Sequence, residues 1–389
     1  MNKSIKKTLT LLTTLVLLII SISGTALAAE FDASPYEDMG IYIIERSTGK
    51  VLVESNADLH YAPLSVTKLL TTMLVLDTLQ ATDEVTISGD VLALVNADAS
   101  KAKLAGGEIL TVEQLVYAML LPSGNDAARA AAVAAGRKLL GKESTPPEKA
   151  MQAFVDKMNE KAKAIGAKDS HFLNPDGYPK AGMYSTAKDI TTISLYAIDN
   201  YPLIQTAATT SHVTIKTNLA EHSWSNSNIL THGTVANISF MEGSGANVNY
   251  DPRINGLKTG SGGKARAFAF NAKKGENELI GSVLNVKNDS GETIFTVAQK
   301  LTKWYFNDYI PLQSPESASV PRVIKALPSP PAKLIPTAAA ATTQGFKLDD
   351  NTLGILLIAV AAVLLLISII AAASSKKKKR RKDDELLFM

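Results

Sequence analysis

The chain has 389 residues, of which 46% are hydrophobic, with a formal net charge of +3 and no cysteine. The lack of cysteine excludes disulfides, thiolate metal sites and cysteine nucleophiles, and the five scattered histidines show no metal-ligand spacing, so we predict no cofactor. Because the positive charge is concentrated at the two ends, the segment between them is mildly acidic, which argues against nucleic acid as a partner.

The first 28 residues are typical of a secretory signal peptide. Lys3, Lys6 and Lys7 form a basic start, residues 9–22 are an apolar run, and Ala26-Leu27-Ala28 is a small-residue cleavage site. The alternative is an uncleaved membrane anchor, which the cleavage site disfavours. We therefore expect the remainder of the chain to be exported.

The exported part contains both strand and helix patterns. Two β-rich runs within 41–54 flank the turn Ser47-Thr48-Gly49 and predict a hairpin. Apolar periodicity and capping residues predict helices at 65–79, 111–121, 126–135, 147–165, 185–200 and 293–309. Further strands are predicted at 212–216, from residue 257, at 266–272 and at 279–286.

The order of these elements predicts the fold class. Helical runs fill the middle of the chain and strands lie towards both ends. This order indicates an α+β fold, with an antiparallel sheet flanked by helices and an additional all-helical subdomain. We assign all of it to one domain, 29–312, which is long enough to bury a core without disulfides.

Three segments follow the predicted domain. Residues 313–351 are rich in Pro, Ala and Ser, as in a linker. Residues 352–373 carry no charge and are long enough for a single transmembrane helix, a buried core helix being the alternative. The tail, 374–389, contains seven consecutive cations from Lys376 to Lys382, and such flanks stay cytoplasmic. We therefore expect a single-pass cell-membrane protein with an extracellular domain.

Ser65 and Lys68 form the first of three short motifs, Ser-Val-Thr-Lys. Side chains at i and i+3 share one helix face, with Cβ atoms about 5–6 Å apart, so the lysine can serve as the base that a serine nucleophile requires. It can do so only if burial or a nearby cation lowers its pKa. An isolated Ser-x-x-Lys is more often a helix cap followed by a surface lysine.

The second motif, Ser-Gly-Asn, contains Ser123 and Asn125 and interrupts a helix pattern. If both side chains face a cleft, Ser123 would relay a proton. Asn125 would orient Lys68 and bind a substrate amide. Taken alone, this motif is more often an ordinary turn between two helices.

The third motif is Lys258-Thr259-Gly260 on a predicted strand. A cation and a hydroxyl pointing the same way would hold a terminal carboxylate by charge-assisted hydrogen bonds, and Gly260 would let the backbone approach a ligand closely. The backbone N–H groups of Ser65 and Ser261 would form an oxyanion hole. An exposed strand end is the simpler alternative. Together the three motifs indicate acyl transfer through a serine ester.

Motifs of this kind in this order are the signature of penicillin-binding proteins and β-lactamases. Over roughly 35–310 the chain is also similar to the D-alanyl-D-alanine carboxypeptidases, the low-molecular-mass penicillin-binding proteins. The stretches that carry this similarity are 47–58, 120–128, 172–178, 185–189 and 255–260. The resemblance implies a β-lactamase/transpeptidase-like fold and acylation of Ser65 by muropeptides ending in D-Ala-D-Ala. It also implies release of D-Ala, hydrolysis of the ester by water, and inhibition by β-lactams.

The resemblance also assigns site residues. The implied catalytic residues are Ser65, Lys68 and Ser123, and the implied substrate-binding residues are Asn125, Lys258, Thr259, Gly260 and Ser261. Two features depart from the family pattern. Small residues, Ser261-Gly262-Gly263, follow the third motif where the family usually has a bulkier residue. An enlarged loop, 231–250, separates the family's Asn-x-Asn motif (Asn226-Ser227-Asn228) from Lys258, and both features bear on substrate preference.

Two other functions compete with this one. A class A-like β-lactamase would need a Glu in Glu-x-x-Leu-Asn, but Leu173-Asn174 places Ser170 there, so we expect slow hydrolysis of a penicilloyl ester. A non-catalytic cell-wall-binding protein on the same fold is disfavoured because Ser65 and Lys68 are both present. The sequence leaves open whether the ester is transferred only to water or also to an amine.

Overall fold

The computed structural model describes residues 30–231 and 250–310, and nine strands lie within those two ranges. They are β1 (Gly40–Glu45), β2 (Val51–Ser55), β3 (Glu84–Thr86), β4 (Ile109–Thr111), β5 (His212–Lys216), β6 (Glu221–Ser225), β7 (Lys258–Gly262), β8 (Ala265–Lys274) and β9 (Asn277–Lys287). Five of them form the central antiparallel sheet in the order β2-β1-β9-β8-β7, and the pairs β3–β4 and β5–β6 are separate two-stranded sheets. β7, which carries the third motif, is therefore an edge strand.

Eight α-helices lie within the same described ranges. They are α1 (Thr67–Thr78), α2 (Gly89–Ala93), α3 (Val112–Leu120), α4 (Asn125–Leu140), α5 (Pro147–Ala164), α6 (Ala187–Asn200), α7 (Pro202–Thr209) and α8 (Ile294–Trp304). A capping box between Thr111 and Gln114 starts α3, and Gly141 in the left-handed conformation ends α4.

Helices cover both faces of the central sheet. On one face, Phe268 and Phe270 of β8 stack on each other, and Phe295 of α8 meets Phe268 edge-on. On the other face, α6 is tied to the sheet by two buried hydroxyls, because Thr191 donates to the Tyr42 carbonyl and Ser282 donates to the Ala187 carbonyl. Since β8 and β9 are covered on both faces, residues 267–272 of β8 and 278–284 of β9 are all buried.

The first motif lies on α1, which is surrounded by the other helices. Its first nine residues, from Thr67 to Val75, are all buried, so this part of α1 has no solvent-exposed face. The buried Thr72 hydroxyl is satisfied by the carbonyl of Lys68, one turn earlier. Near it, α4 and α5 approach closely at Gly136, where a Cβ would lie 2.0 Å from the Ala150 carbonyl oxygen. Lys68 is thus fully buried on a helix whose first nine residues are enclosed by the rest of the domain.

The structure confirms an α+β fold with helices on an antiparallel sheet. The predicted hairpin and the predicted long helices are present, with two differences in extent: α4 continues to Leu140, and the last helix becomes π-helical over Tyr305–Tyr309. The strand predicted at 212–216 is present but pairs with β6 outside the central sheet. The sequence patterns did not predict β3, β4, β6, α2 or α7, most of which have five residues or fewer.

Several predicted segments lie outside the described residues. They are the signal peptide 1–28, most of the enlarged loop 231–250, the linker 313–351, the transmembrane helix 352–373 and the tail 374–389. Among the helices within 30–231 and 250–310, none is long and apolar enough to span a membrane.

Candidate active site

The three motifs meet at one cleft of about 800 Å³. It lies between the start of α4, the end of β6, the edge strand β7 and the loop 177–179. The motif residues and their neighbours on its wall are Ser65, Ser123, Asn125, Ser227, Thr259 and Ser261. Lys68, Lys258 and Gly260 are buried behind this wall.

The predicted nucleophile, Ser65, lies in a 3-10 turn, Leu64–Val66, that leads directly into α1. Leu64 has a φ of +54°, a left-handed conformation that is unfavourable for a branched side chain. Three glycines with no room for a side chain pack against Leu64: Gly177, Gly260 and Gly262. These neighbours come from two distant parts of the chain, and they enclose the turn that presents the serine.

Lys68 Nζ contacts three oxygen atoms. It lies 2.9 Å from Ser65 Oγ, 2.8 Å from Asn125 Oδ1 and 2.6 Å from the backbone carbonyl oxygen of Asp176. A neutral amine has two N–H donors and one lone pair, so the two carbonyl oxygens take the donors and the lone pair faces the serine hydroxyl. Burial lowers the pKa of Lys68 to about 8, although the carboxylates of Asp176 and Asp126 offset part of that effect.

The turn before α4 positions the second motif. Ser123 has a φ of +63°, and Gly124 is packed so closely that a Cβ there would lie 2.7 Å from a backbone carbonyl oxygen. Asn125 is the first residue of α4, and its backbone N–H donates to the Ser100 carbonyl at 2.8 Å. The turn thus directs the Asn125 amide oxygen to Lys68 and leaves Ser123 on the cleft wall.

The cation of the third motif is buried, not exposed at a strand end. Lys258 is 1% exposed, and its Nζ donates to the Thr259 carbonyl at 3.0 Å and lies 3.4 Å from Ser227 Oγ. The Ser227 and Thr259 hydroxyls are 2.7 Å apart on the cleft wall. Burial lowers the pKa of Lys258 well below its usual value, and the nearby charge of Lys68 adds to this. No carboxylate of the described residues pairs with Lys258, so an anion in the cleft would supply its counter-charge.

Ser227 is a site residue that the motifs did not identify. It belongs to Asn226-Ser227-Asn228, a stretch noted for its family likeness but given no role. In the structure its hydroxyl bridges Thr259 and Lys258 and faces the cleft. The position directly after β6 could not be predicted, because β6 itself carries no clear apolar alternation in the sequence.

β7 runs directly beside the turn that holds Ser65. A Cβ on Gly260 would lie 3.3 Å from the Ser65 backbone nitrogen and 2.9 Å from Leu64 Cβ. The sequence predicted that Gly260 would let a ligand approach, but the close neighbour in the structure is the serine turn itself. Ser261, the next residue, lies on the cleft wall. The chain segments of Ser65 and Ser261, whose backbone N–H groups are predicted to form an oxyanion hole, are therefore adjacent.

The turn Asn-Pro-Asp-Gly supplies an unpredicted contact to the site, the Asp176 carbonyl. The turn is closed by the Asn174 side chain, which accepts the Gly177 N–H at 2.8 Å. It is fixed to α1 by the Thr71 hydroxyl, which donates to the Pro175 carbonyl at 2.6 Å. The sequence signals a tight turn here, but it cannot indicate which backbone carbonyl points at a distant lysine.

Ser170, which the sequence places where a class A β-lactamase carries Glu, is not on the cleft wall. Its hydroxyl donates to Asp189 at 2.6 Å and lies 2.8 Å from the Ser185 hydroxyl. Among the described residues of the wall, Asp98 is the one carboxylate, and it accepts the Tyr178 hydroxyl at 2.9 and 3.1 Å.

Comparison with known proteins identifies relatives of one enzyme family. The model of a peptidase family described as D-alanyl-D-alanine carboxypeptidase matches residues 37–288. The chain is 29% identical to the D-alanyl-D-alanine carboxypeptidase DacF of Bacillus subtilis over 254 residues, 64% of this chain and 57% of the relative. It is 31% identical to a D-alanyl-D-alanine carboxypeptidase of Streptomyces sp. strain K15 over 284 residues, 71% of this chain and 90% of that one. The match thus spans just over half the length of the Bacillus relative.

A solved structure matches the fold as well. The crystal structure of the Streptomyces K15 DD-transpeptidase superposes with a TM-score of 0.57 and 30% sequence identity, covering 69% of this chain and 96% of that one.

Replacing Gly177 by alanine is expected to disrupt the serine turn. The added methyl group would lie 1.8 Å from the Leu64 carbonyl oxygen and 2.9 Å from the Ser65 nitrogen, at a φ of +77°. We expect a loss of about 3 kcal/mol in the free energy of unfolding and at least about a tenfold slower acylation of Ser65 by fluorescent penicillin. Thermal unfolding and a labelling time course measure the two effects.

Gly182 provides the matched control. It also has a positive φ, +87°, but the nearest atom to its added Cβ is Leu173 Cδ1 at 3.7 Å. Gly182→Ala should therefore show only the conformational cost, about 1 kcal/mol, with acylation unchanged. Equal losses of acylation in the two variants would contradict the interpretation that Gly177 is required by its contact with the serine turn.

Proposed function

The chain belongs to the D-alanyl-D-alanine carboxypeptidase family, and on that premise we propose that it removes the terminal D-Ala from peptidoglycan stem pentapeptides through an ester of Ser65. The observation that carries this proposal is the 2.9 Å contact between Ser65 Oγ and the buried amine of Lys68. Burial lowers the pKa of that amine to about 8, so a neutral fraction is available to accept the serine proton.

Acylation breaks the bond between the last two residues of the stem peptide. Ser65 Oγ attacks the carbonyl carbon of the penultimate D-Ala while Lys68 Nζ takes the hydroxyl proton. The C–N bond then breaks, and the nitrogen of the terminal D-Ala receives a proton, a step for which we assign Ser123, a residue of the cleft wall, as the relay. D-Ala leaves, and the rest of the peptide remains as an ester of Ser65. Water hydrolyses the ester and restores the hydroxyl.

The third motif supplies the recognition of the substrate carboxylate. The Ser227 and Thr259 hydroxyls face the cleft with Lys258 behind them, so a terminal carboxylate would accept hydrogen bonds from both and neutralise the buried cation. The backbone N–H groups of Ser65 and Ser261 would stabilise the oxyanion. Asn125, already bonded to Lys68 through its oxygen, has its amide N–H₂ left for a substrate carbonyl.

A β-lactam would acylate Ser65 by the same route. The nitrogen released from the acyl carbon remains attached to the adduct through the opened ring. The ester therefore persists unless a base activates a water molecule to hydrolyse it. Where a class A β-lactamase carries that base, this chain has Ser170, which lies off the cleft wall with its hydroxyl engaged with Asp189, and the one carboxylate of the described wall, Asp98, accepts the Tyr178 hydroxyl. This supports inhibition by penicillin over its destruction.

We also propose a cell-membrane location with the catalytic domain outside, where peptidoglycan is the partner. The support comes from the sequence: a signal-peptide pattern at 1–28, an apolar run at 352–373 and the basic run that follows it. The linker 313–351 would let the domain reach stem peptides at a distance from the bilayer.

Labelling with fluorescent penicillin and release of D-Ala from a defined muropeptide pentapeptide test the proposed activity. We expect the wild-type chain to show both, and Ser65→Ala to lose both while keeping its unfolding temperature, because Ser65 is the acylated group. The penicilloyl adduct should persist for many minutes by mass spectrometry. An adduct lifetime of seconds would favour the β-lactamase, and absence of both activities in the wild type would favour the non-catalytic binding protein.

The rate of acylation should rise with pH. Since only the neutral form of Lys68 accepts a proton, the rate should increase about tenfold per pH unit below a midpoint near pH 8 and level off above it. Stopped-flow measurement of penicillin acylation between pH 5.5 and 9.5 gives the profile. Lys68→Arg, whose side chain stays protonated, should acylate at least about 10³-fold more slowly across the whole range. A profile that falls as pH rises would refute the assignment of Lys68 as base.

Removal of residues 313–389 should release the domain from the membrane. In a bacterial host, we expect the full chain in the membrane fraction, labelled by a penicillin that cannot cross the membrane, and the truncated chain in the soluble extracellular or periplasmic fraction. Retention of the truncated chain in the membrane would instead indicate that the N-terminal segment is an uncleaved anchor.

A further inference from the structure

Asp176 is held at both its backbone and its side chain. Its carbonyl oxygen accepts a hydrogen bond from Lys68 Nζ at 2.6 Å. Its carboxylate accepts from Arg129 Nε at 2.5 Å and from the Tyr178 backbone N–H at 3.0 Å. The residue is completely buried. Because only two torsions separate the carboxylate from Cα, and the carboxylate also binds the Tyr178 N–H, holding the carboxylate restricts the direction of the Asp176 carbonyl.

Arg129 lies one helical turn after Asn125 on α4, so the two side chains project from the same helix face. Asn125 supplies one carbonyl acceptor for Lys68, and Arg129 holds the residue that supplies the other. The remaining guanidinium nitrogens donate to the Leu94 carbonyl and, at 3.3 Å, to Asn96 Oδ1. Arg129 is thus anchored on a loop that does not itself contact Lys68.

We propose that Arg129 is a positioning residue that keeps Lys68 neutral and directed at Ser65 by pairing with the Asp176 carboxylate. The proposal rests on the proposed role of Lys68 as base. A buried carboxylate without a partner would stabilise an ammonium next to it, whereas the Arg129–Asp176 pair is neutral as a whole. The same pair aligns the carbonyl that takes one N–H of Lys68, and this alignment leaves the amine lone pair towards the serine.

The other charged groups facing Lys68 come from two elements. Asp126 on α4 favours the protonated lysine, and its carboxylate is held by two backbone N–H groups of the facing loop, at 2.8 and 3.1 Å. Lys258 on β7 is a second buried cation, and like charges disfavour each other. In agreement with the pairing, the Asp176 carboxylate raises the pKa of Lys68 and the Arg129 guanidinium lowers it.

The test is the pH profile of penicillin acylation in three variants: Arg129→Met, Asp176→Asn and the double variant. Arg129→Met removes the cation and keeps the length of the side chain. Asp176→Asn removes the carboxylate and keeps the backbone carbonyl. Each rate is divided by the same variant's rate at high pH, so that a general loss of activity cancels.

The two single variants should shift the profile in opposite directions. In Arg129→Met the unpaired carboxylate should hold the proton on Lys68, moving the midpoint up by about one pH unit and lowering the normalised rate at pH 7 about tenfold. In Asp176→Asn the midpoint should move below that of the wild type. The double variant should return close to the wild-type midpoint, and Arg129→Lys, which keeps the charge, should stay near it.

Lys161→Met, on α5, provides the control for loss of an ion pair to the helix that carries Lys68. Lys161 pairs with Asp77 at 2.6 Å, near the other end of α1 from Lys68. Its removal should lower the unfolding temperature slightly without moving the midpoint.

Unmoved midpoints in both single variants, with only a uniform loss of rate, would show that the pair is merely structural and would overturn the proposal. If Arg129→Met does not fold, the direction of the shift in Asp176→Asn decides alone. A wild-type enzyme that acylates with no midpoint near pH 8 would instead overturn the assignment of Lys68 as base, and the inference with it.

Discussion

The burial of the Lys68 amine is the constraint on which the rest of the site depends. A pKa lowered from 10.5 to about 8 means that burying the protonated form costs about 3 kcal/mol in the free energy of folding at neutral pH. The folded pKa lies below the unfolded one, so this cost is present below pH 8 and disappears as the pH rises towards 10.5. With this lowered pKa, about a tenth of the molecules carry a neutral Lys68 at pH 7, and the neutral amine can accept the proton of the serine hydroxyl.

The packing around the serine turn explains why the site needs the complete fold. The turn Leu64–Val66 precedes a helix from the middle of the domain, yet the glycines that enclose it come from the Asn-Pro-Asp-Gly turn and from the edge strand β7. None of these contacts is local in sequence. Leu64 can keep its left-handed conformation only when both neighbours are in place, because isolated leucine disfavours that conformation by about 1–2 kcal/mol. The proposed nucleophile, Ser65, therefore takes its position only after the helical part and the sheet have packed together.

What could be predicted from the sequence follows from short-range geometry. The contact between Ser65 and Lys68 is set by helix spacing, and the long helices and central strands follow from apolar periodicity and capping. The short strands β3, β4 and β6 were missed because a few residues contain too little pattern. The Asp176 carbonyl was missed for a different reason: every residue has a carbonyl, so no residue type marks the one that points at a lysine. The burial of Lys258 is likewise a property of packing that its motif does not encode.

Binding of an anion in the cleft would change the charges around both buried lysines. The positive charges of Lys68 and Lys258 disfavour each other, and no carboxylate of the described residues pairs with Lys258. A terminal carboxylate bound at Ser227 and Thr259 would supply that missing charge. Arg129 and Asp176 already neutralise each other. Neutralising Lys258 would also remove a charge that disfavours the protonated form of Lys68, so the two carbonyl acceptors, and not the bound anion, direct the lone pair of the neutral amine at the serine hydroxyl. Recognition of the carboxylate and activation of the serine are thus parts of one arrangement of charges.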